Sequence, residues 1–187
     1  MAILHAADLC VPDGVGLLWA AKWKGRPLRE RVAGSDLVPL LVAEAAARQW
    51  KVFFLGAAPG VADRAAAILK AQYPSLIVAG CWAGSPHLHD DEAAIAQIRE
   101  SEPHIVLVAY GAPAQDKWIA RNRDRLNGAV WLGVGGAFDF ITGEAVRAPK
   151  WIQRLGLEWL HRLIKQPWRW RRMLALPRFV WAVALDR

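Results

Sequence analysis

The sequence predicts an α/β fold, a Rossmann-like, mostly parallel sheet flanked by helices, extended by a C-terminal helical appendage rich in arginine and tryptophan. Three observations predict it. Short runs of Val, Ile, Leu and Phe recur along the chain, helical patterns separate them, and this alternation stops beyond residue 150.

In chain order, the first apolar run is 7–11, and a helix is expected to begin near Val15. Residues 35–49 carry an Ala/Leu/Val face, with Ser35 or Asp36 as the expected cap. A strand at 52–55 precedes an alanine-rich helix at 60–72, and a strand at 76–79 precedes a helix at 90–100 that opens on three acids suited to a helix N-terminus. A strand at 105–109, a helix at 115–125 and a strand at 130–134 complete the body. Runs so uniformly apolar are usually covered on both faces, as in a parallel sheet between helices. Strand, turn and helix in repetition favour right-handed crossovers and a ligand site at the carboxyl ends of the strands. From Trp151 the pattern becomes helical, with breaks expected at Pro167 and Pro177 and apolar residues Ile152, Leu155, Trp159, Leu160 and Leu163 at three and four spacing. The expected division is a body over 1–150 and an appendage over 151–187.

Composition bounds the function. With 187 residues, 55% of them hydrophobic, the chain can bury one real core. The net charge of +7 is concentrated late: from Gln153 onward seven arginines and one lysine face only Glu158 and Asp186. An anionic partner is expected at that end. Cys10 and Cys81 make neither a disulfide framework nor a metal cluster, and no signal-like stretch precedes the first run, so the chain reads as cytosolic. Charge interrupts every apolar stretch short of the ~20 residues that cross a bilayer. Arginines interleaved with Trp151, Trp159, Trp168 and Trp170 suit an anionic ligand and an apolar boundary together, which points to a phosphate-bearing, lipid-linked substrate.

Three loops follow strands and carry glycine. Gly56-Ala57-Ala58-Pro59-Gly60 leads into a helix and suits either phosphate approach or an ordinary turn, since its spacing matches neither Walker A nor the dinucleotide fingerprint. Tyr110-Gly111-Ala112-Pro113-Ala114-Gln115 and Gly133-Val134-Gly135-Gly136-Ala137-Phe138-Asp139 each add a polar residue. Gln115 suits a sugar or phosphate contact, or a solvated helix start; Asp139 suits a ribose hydroxyl or base edge, a helix cap, or a partner for Arg147. Asp13, in Val11-Pro12-Asp13-Gly14-Val15-Gly16, reads as a general base if desolvated or as a helix cap. Arg31 reads as a diphosphate ligand or a salt-bridge partner of Glu30 or Asp36. His87, His89, Asp90 and Asp91 lack a further ligand group at metal spacing and read as a solvated loop and cap, so no metal site is expected.

Pro12-Asp13-Gly14-Val15-Gly16, Arg31-Val32-x-Gly34-x-Asp36, Phe54-Leu55-Gly56, Gly111-x-Pro113-x-Gln115, Gly133-Val134-Gly135-Gly136-x-Phe138-Asp139, Arg147-Ala148-Pro149 and Gly156-Leu157-Glu158-Trp159-x-x-Arg162 occur in one order. Together they resemble the WecG/TagA/CpsF glycosyltransferases, glycosyltransferase family 26, over nearly the whole chain. The resemblance implies transfer of an N-acetylmannosamine-type sugar from a UDP donor to undecaprenyl-diphosphate-linked N-acetylglucosamine, with inversion, without a metal or other cofactor, in cell-surface polysaccharide or teichoic acid synthesis. It implies that Asp13 is the base for the acceptor hydroxyl, that Arg31 and Gln115 line the pocket, and that Asp139 with the glycine loops (Gly56, Gly111, Gly135, Gly136) helps hold the nucleotide. Arg162, Arg169 and Arg172 match appendage arginines implied to close over the site and steady diphosphate charge; Arg147 belongs to the same substrate-binding set.

Members of the resembled family carry a further βα region, with a Thr and an Asn, ahead of the Asp-Gly-x-Gly motif, whereas here Met1 stands twelve residues before Asp13. Part of the pocket wall is therefore expected to be missing from this chain. Ala114 and Asp116 stand where relatives commonly carry Lys and Glu. The partners implied are the UDP-sugar, the lipid-diphosphate acceptor, an anionic membrane surface on the cytoplasmic side and, compatibly, further copies of the chain. The competing reading is a catalytically impaired nucleotide-sugar or lipid-binding remnant. Nucleic-acid binding, by tryptophans stacking on bases, is disfavoured because one basic segment stands without a recognised module.

Overall fold

The computed structural model describes residues 2–126, 128–165, 167, 170 and 175–185. The side chains of Lys150, Arg154 and Arg162 lie outside that description, as do Arg169 and Arg172 altogether. Two units make up the chain: 1–10 with 32–145, and 11–31 with 146–187.

The first unit holds the sheet. Its elements are α1 (Ala2–His5), α3 (Gly34–Ala47), β1 (Lys51–Gly56), α4 (Val61–Gln72), β2 (Ile77–Trp82), α5 (Asp91–Ser101), β3 (Ile105–Ala109), α6 (Ala114–Asn122), β4 (Val130–Gly133) and α7 (Ala137–Ile141). All pairings are parallel, in the order β2-β1-β3-β4. Val52 faces Ile105 and Phe54 faces Leu107 across β1 and β3, and Ile105 faces Val130 across β3 and β4.

Side-chain alternation sorts the strands between two cores. Val52, Phe54, Ile105 and Leu107 join Val38 and Val42 of α3, Ala65 and Leu69 of α4, and Phe138 of α7. Phe53, Leu55, Val106 and Val108 join Ile95 and Ile98 of α5 and Trp118 of α6 on the other face. Burial on both faces explains why these strands read as unbroken apolar runs rather than alternating ones. The step from β1 to β2 runs one way across the sheet, and the step from β2 to β3 runs back past β1. Right-handed crossovers then require α4 on one face and α5 on the other, which is where they lie.

Several expectations are corrected. Residues 7–11 form no strand: they follow the short helix α1 as bend and coil, Leu9 is 81% exposed, and none of the four strands pairs with them. Local β propensity without a neighbour to take up its N–H and C=O groups does not hold a strand. Helix α3 starts earlier than expected, with Ala33 as N-cap and no side-chain capping bond, so neither Ser35 nor Asp36 caps it. The helix expected at 115–125 is α6, and residues Arg123–Arg125 continue it only as a 3-10 turn.

The helix expected at 90–100 is α5, and its acids do more than face its N-terminus. Asp91 is buried and bound by Arg121, whose Nη2 donates to Oδ1 at 2.8 Å and also to the Pro86 carbonyl at 2.6 Å. Burial alone would raise the Asp91 pKa, but the hydrogen bonds and the charge of Arg121 hold it below the usual carboxylate range. A depressed folded-state pKa gives stability that is present above the unfolded value, roughly 3.9, and is lost as pH falls through the folded value. Asp91→Asn is therefore expected to cost about 1.5–3 kcal/mol at neutral pH. Its urea midpoint should also fall less steeply than the wild-type midpoint as pH drops below about 4.

The second unit holds α2 (Val15–Trp23), α8 (Lys150–Arg154), α9 (Glu158–Lys165) and α10 (Ala175–Leu185). A Cβ on Gly16 would stand 3.6 Å from the Phe179 ring, so α2 and α10 pack closely. Pro177 was expected to break the helix, yet it lies inside α10.

Candidate active site

In an open parallel sheet, ligands gather where the strand order reverses, outside the carboxyl ends. Here that point lies between β1 and β3, and the loops that leave them are 56–60 and 110–115. The first of these loops is tied to the end of β3, where the Ala57 N–H donates to the Ala109 carbonyl at 3.1 Å. Gly56 has φ +97°, and a Cβ there would sit 2.9 Å from the Ala109 carbonyl carbon. Glycine is demanded twice over at this position, by the backbone angle and by the neighbouring strand.

Gln115 links the next pair of loops. It is 7% exposed, and its Oε1 accepts from the Gly111 N–H at 3.1 Å and from the Gly135 N–H at 2.9 Å. Two backbone donors can be met only by the carbonyl end, so the amide orientation follows from the chemistry and Nε2 points the other way. That Nε2 makes no hydrogen bond among the described residues. A Cβ on Gly133 would lie 2.6 Å from Nε2, so the glycine at the end of β4 makes room for this side chain. Gln115 is thus neither a solvated helix start nor a free acceptor: one end of its amide fastens the β3 and β4 loops to each other.

Past β4, Gly136 precedes α7, and Phe138 packs its ring against Phe54 at 5.4 Å between centroids. Asp139 on α7 is half-buried, and its carboxylate has no hydrogen bond or ion pair among the described residues. Its backbone carbonyl accepts from the Ala145 N–H at 2.9 Å. The carboxyl edge of the first unit therefore presents the backbone of Gly56, Gly111, Gly135 and Gly136 beside a carboxylate and a primary amide.

Behind that edge, Tyr110, Trp118 and Trp131 pack edge-on or tilted, each neighbouring pair with centroids 5.8 Å apart. Burial first, then Asp90 and Asp91, push the Tyr110 hydroxyl above its ordinary range. Burial, with help from Asp63, pushes the Cys81 thiol up to about 11, which keeps it unreactive at neutral pH. His87 and His89 stack on each other with centroids 5.6 Å apart, and among the described residues no three His, Cys, Asp or Glu side chains gather as metal ligands would.

The second unit carries the cations. Arg31 does not pair with Glu30 or Asp36; its Nη1 donates to Glu158 Oε2 at 2.8 Å. Arg147 Nε stands 3.6 Å from the other oxygen of the same carboxylate, so Glu158 is a partner of Arg147 that the sequence, which offered Asp139, did not suggest. All three side chains are between a fifth and about a quarter exposed. Asp13 lies in coil just before α2, whose N-cap position is taken by Gly14 and not by Asp13. Arg162 lies on α9.

The structure brings together two groups of predicted residues, Gln115 with Gly111 and Gly135, and Arg31 with Arg147. The joint between those arginines was missed, although the signal was present: Glu158 is one of only two acids beyond Gln153, and it sits in the first turn of a helix. Arg121 and Asp91 were missed as a pair because thirty residues separate them.

Comparison with known proteins supplies the frame for this site. The chain is 39% identical over 182 residues to the N-acetylglucosaminyldiphosphoundecaprenol N-acetyl-beta-D-mannosaminyltransferase of Bacillus spizizenii strain W23, covering 97% of this chain and 70% of that protein. It is 35% identical over 181 residues to the protein of the same name from Bacillus subtilis strain 168, with the same coverage of 97% and 70%. The model of the WecG/TagA/CpsF glycosyl transferase family matches residues 1–187. A parallel sheet with glycine loops along its carboxyl edge, a cluster of arginines, and a family match over the full sequence agree: the chain belongs to the WecG/TagA/CpsF family and is a glycosyltransferase.

Proposed function

We propose that this chain moves an N-acetylmannosamine-type sugar from a UDP donor onto N-acetylglucosamine carried on undecaprenyl diphosphate, with inversion and without a metal. The observation that carries the reading is Gln115, whose carbonyl oxygen fixes the Gly111 and Gly135 loops beside the strand-order reversal. The names of the Bacillus relatives supply the sugar and acceptor, and their β-mannosaminyl product is an inversion if the donor is α-linked.

In this reading the acceptor hydroxyl oxygen attacks the anomeric carbon on the face opposite the diphosphate. The bond from that carbon to the phosphate oxygen breaks, UDP leaves with the electron pair, and Asp13 takes the hydroxyl proton. UDP gains charge as the bond breaks, so donors fixed in place stabilise the transition state more than the bound substrate. Backbone amides of the Gly56, Gly111, Gly135 and Gly136 loops, with Arg31, Arg147, Arg162, Arg169 and Arg172, fill that role. Asp139 holds the nucleotide. The body over 1–150 binds the nucleotide sugar, and the appendage over 151–187 meets the membrane.

The deciding experiment is transfer of radiolabelled UDP-N-acetylmannosamine to a lipid-diphosphate N-acetylglucosamine acceptor, with and without a chelator. Labelled lipid product, undiminished by the chelator, is expected. Retained UDP binding with no product would instead make the chain a binding protein.

For location, we propose peripheral attachment to the inner face of the cytoplasmic membrane. Trp151, Ile164, Trp170, Val180, Trp181 and Leu185 are all more than half exposed, alongside basic residues. Among the described residues no helix is long and apolar enough to cross a bilayer. Tryptophan and leucine can bury at the interface while arginines meet anionic head groups. Recovery on anionic vesicles in a flotation assay is expected to fall at least about tenfold when residues after Ile152 are deleted, and to weaken with salt. Unchanged recovery refutes the attachment.

A further inference from the structure

We infer that Glu158 is a positioning residue for diphosphate binding, holding the guanidinium groups of Arg31 and Arg147 as one fixed anion-binding pair; this rests on the transferase reading above. One carboxylate serves both cations, Oε2 taking Arg31 Nη1 at 2.8 Å and Oε1 standing 3.6 Å from Arg147 Nε. The two arginines come from unstructured stretches 116 positions apart, residues 29–33 and 146–149, so no helix or strand fixes either side chain. Glu158 differs. It opens α9 directly after a tight turn from α8, in which the Leu155 N–H donates to the Trp151 carbonyl at 3.1 Å and the Leu157 N–H to the Ile152 carbonyl at 3.0 Å. The rigid partner in the trio is therefore the acid.

Glu158 sets one negative charge between two positive ones, and a third of each side chain or less meets solvent. Two guanidinium groups that share one carboxylate repel each other, and the anion between them offsets that repulsion and holds them close. Arg31 uses only Nη1 for Glu158, and its Nε–Nη2 edge makes no other hydrogen bond among the described residues. That edge is the fork that grips phosphate oxygens two at a time. A diphosphate spans two phosphate groups, so a pair of guanidiniums held at fixed separation matches it better than one lysine-like point charge.

A competing anion and a positioning residue predict opposite signs. If Glu158 merely occupied the anion site, its neutral amide variant would bind diphosphate more tightly. If it positions the arginines, the same change weakens binding, even though it removes a negative charge from the site.

The test is calorimetric titration of the full chain with inorganic pyrophosphate and, separately, with UDP, for wild type, Arg31→Ala, Glu158→Gln and Glu158→Asp. Glu158→Gln is expected to weaken pyrophosphate binding at least about fivefold and to lower kcat for sugar transfer at least about tenfold, with acceptor KM within about threefold. Glu158→Asp keeps the charge but withdraws it by one methylene, so it too should weaken binding; if Glu158→Gln does not fold, Glu158→Asp decides alone. Unchanged or tighter pyrophosphate binding in the folded variants overturns the inference, as does a wild type that binds no pyrophosphate. Pyrophosphate binding that depends on Arg31 and Glu158 without sugar transfer supports it while refuting the proposed activity. Transfer equally fast in Glu158→Gln refutes it while leaving the activity standing.

Discussion

Gln115→Leu is expected to destabilise the protein by about 2–4 kcal/mol and to lower the transfer rate at least about tenfold. Leucine has a similar volume and fits beside Gly133, so the change deletes an acceptor and not a shape. The N–H groups of Gly111 and Gly135 lose their common partner, at roughly 1–2 kcal/mol each in a half-buried setting. For a chain of 187 residues, each kcal/mol corresponds to about 2–4 °C of thermal midpoint, so a fall of about 4–16 °C is expected. Amide exchange at Gly111 and Gly135 should quicken together, because one atom protects both. Gln115→Glu keeps an acceptor for the two amides and should retain more stability, while losing whatever Nε2 donates to a ligand. If Gln115→Leu melts with the wild type, the tie between the loops is not what sets their geometry.

Asp13→Asn is expected to lower kcat by about 10²–10⁴-fold, the usual worth of a positioned general base, with UDP affinity within about threefold. Asparagine keeps the size and a hydrogen-bonding oxygen but accepts no proton at working pH. Asp13 precedes Gly14, the N-cap of α2, so the substitution leaves the residue at the cap position itself unchanged. The acid limb of the kcat profile, where a carboxylate base becomes protonated, should vanish in the variant. A folded Asp13→Asn enzyme turning over at the wild-type rate would remove Asp13 from the chemistry and require another base.

How far the sequence reaches depends on the range of the interaction. The strands at 52–55 and 105–109 were legible because α3, α4 and α7 cover one face and α5 and α6 the other, and two-sided burial leaves an unbroken apolar run. The glycine loops were legible because a backbone angle such as φ +97° at Gly56 limits the residue type locally. Residues 7–11 show the limit: their side chains suit a strand, but pairing is a property of neighbours.

Partnership was the other thing that only folding decided. Arg31 had acids one and five residues away, yet it chose one 127 positions distant, because the turn before α9 brings Glu158 to it and burial strengthens the contact. Gln115 read as a ligand contact or as a solvated helix start, and the tie its carbonyl makes between two loops appeared only when the sheet order brought β4 beside β3. The sequence by itself determined the layered α/β body, its glycine loops and the family, since these follow from local patterning and ordered motifs. The tertiary structure alone decided which acid meets which arginine and which loop meets which, because charge pairs and hydrogen bonds act over a few ångströms in space and carry no record of their separation along the chain.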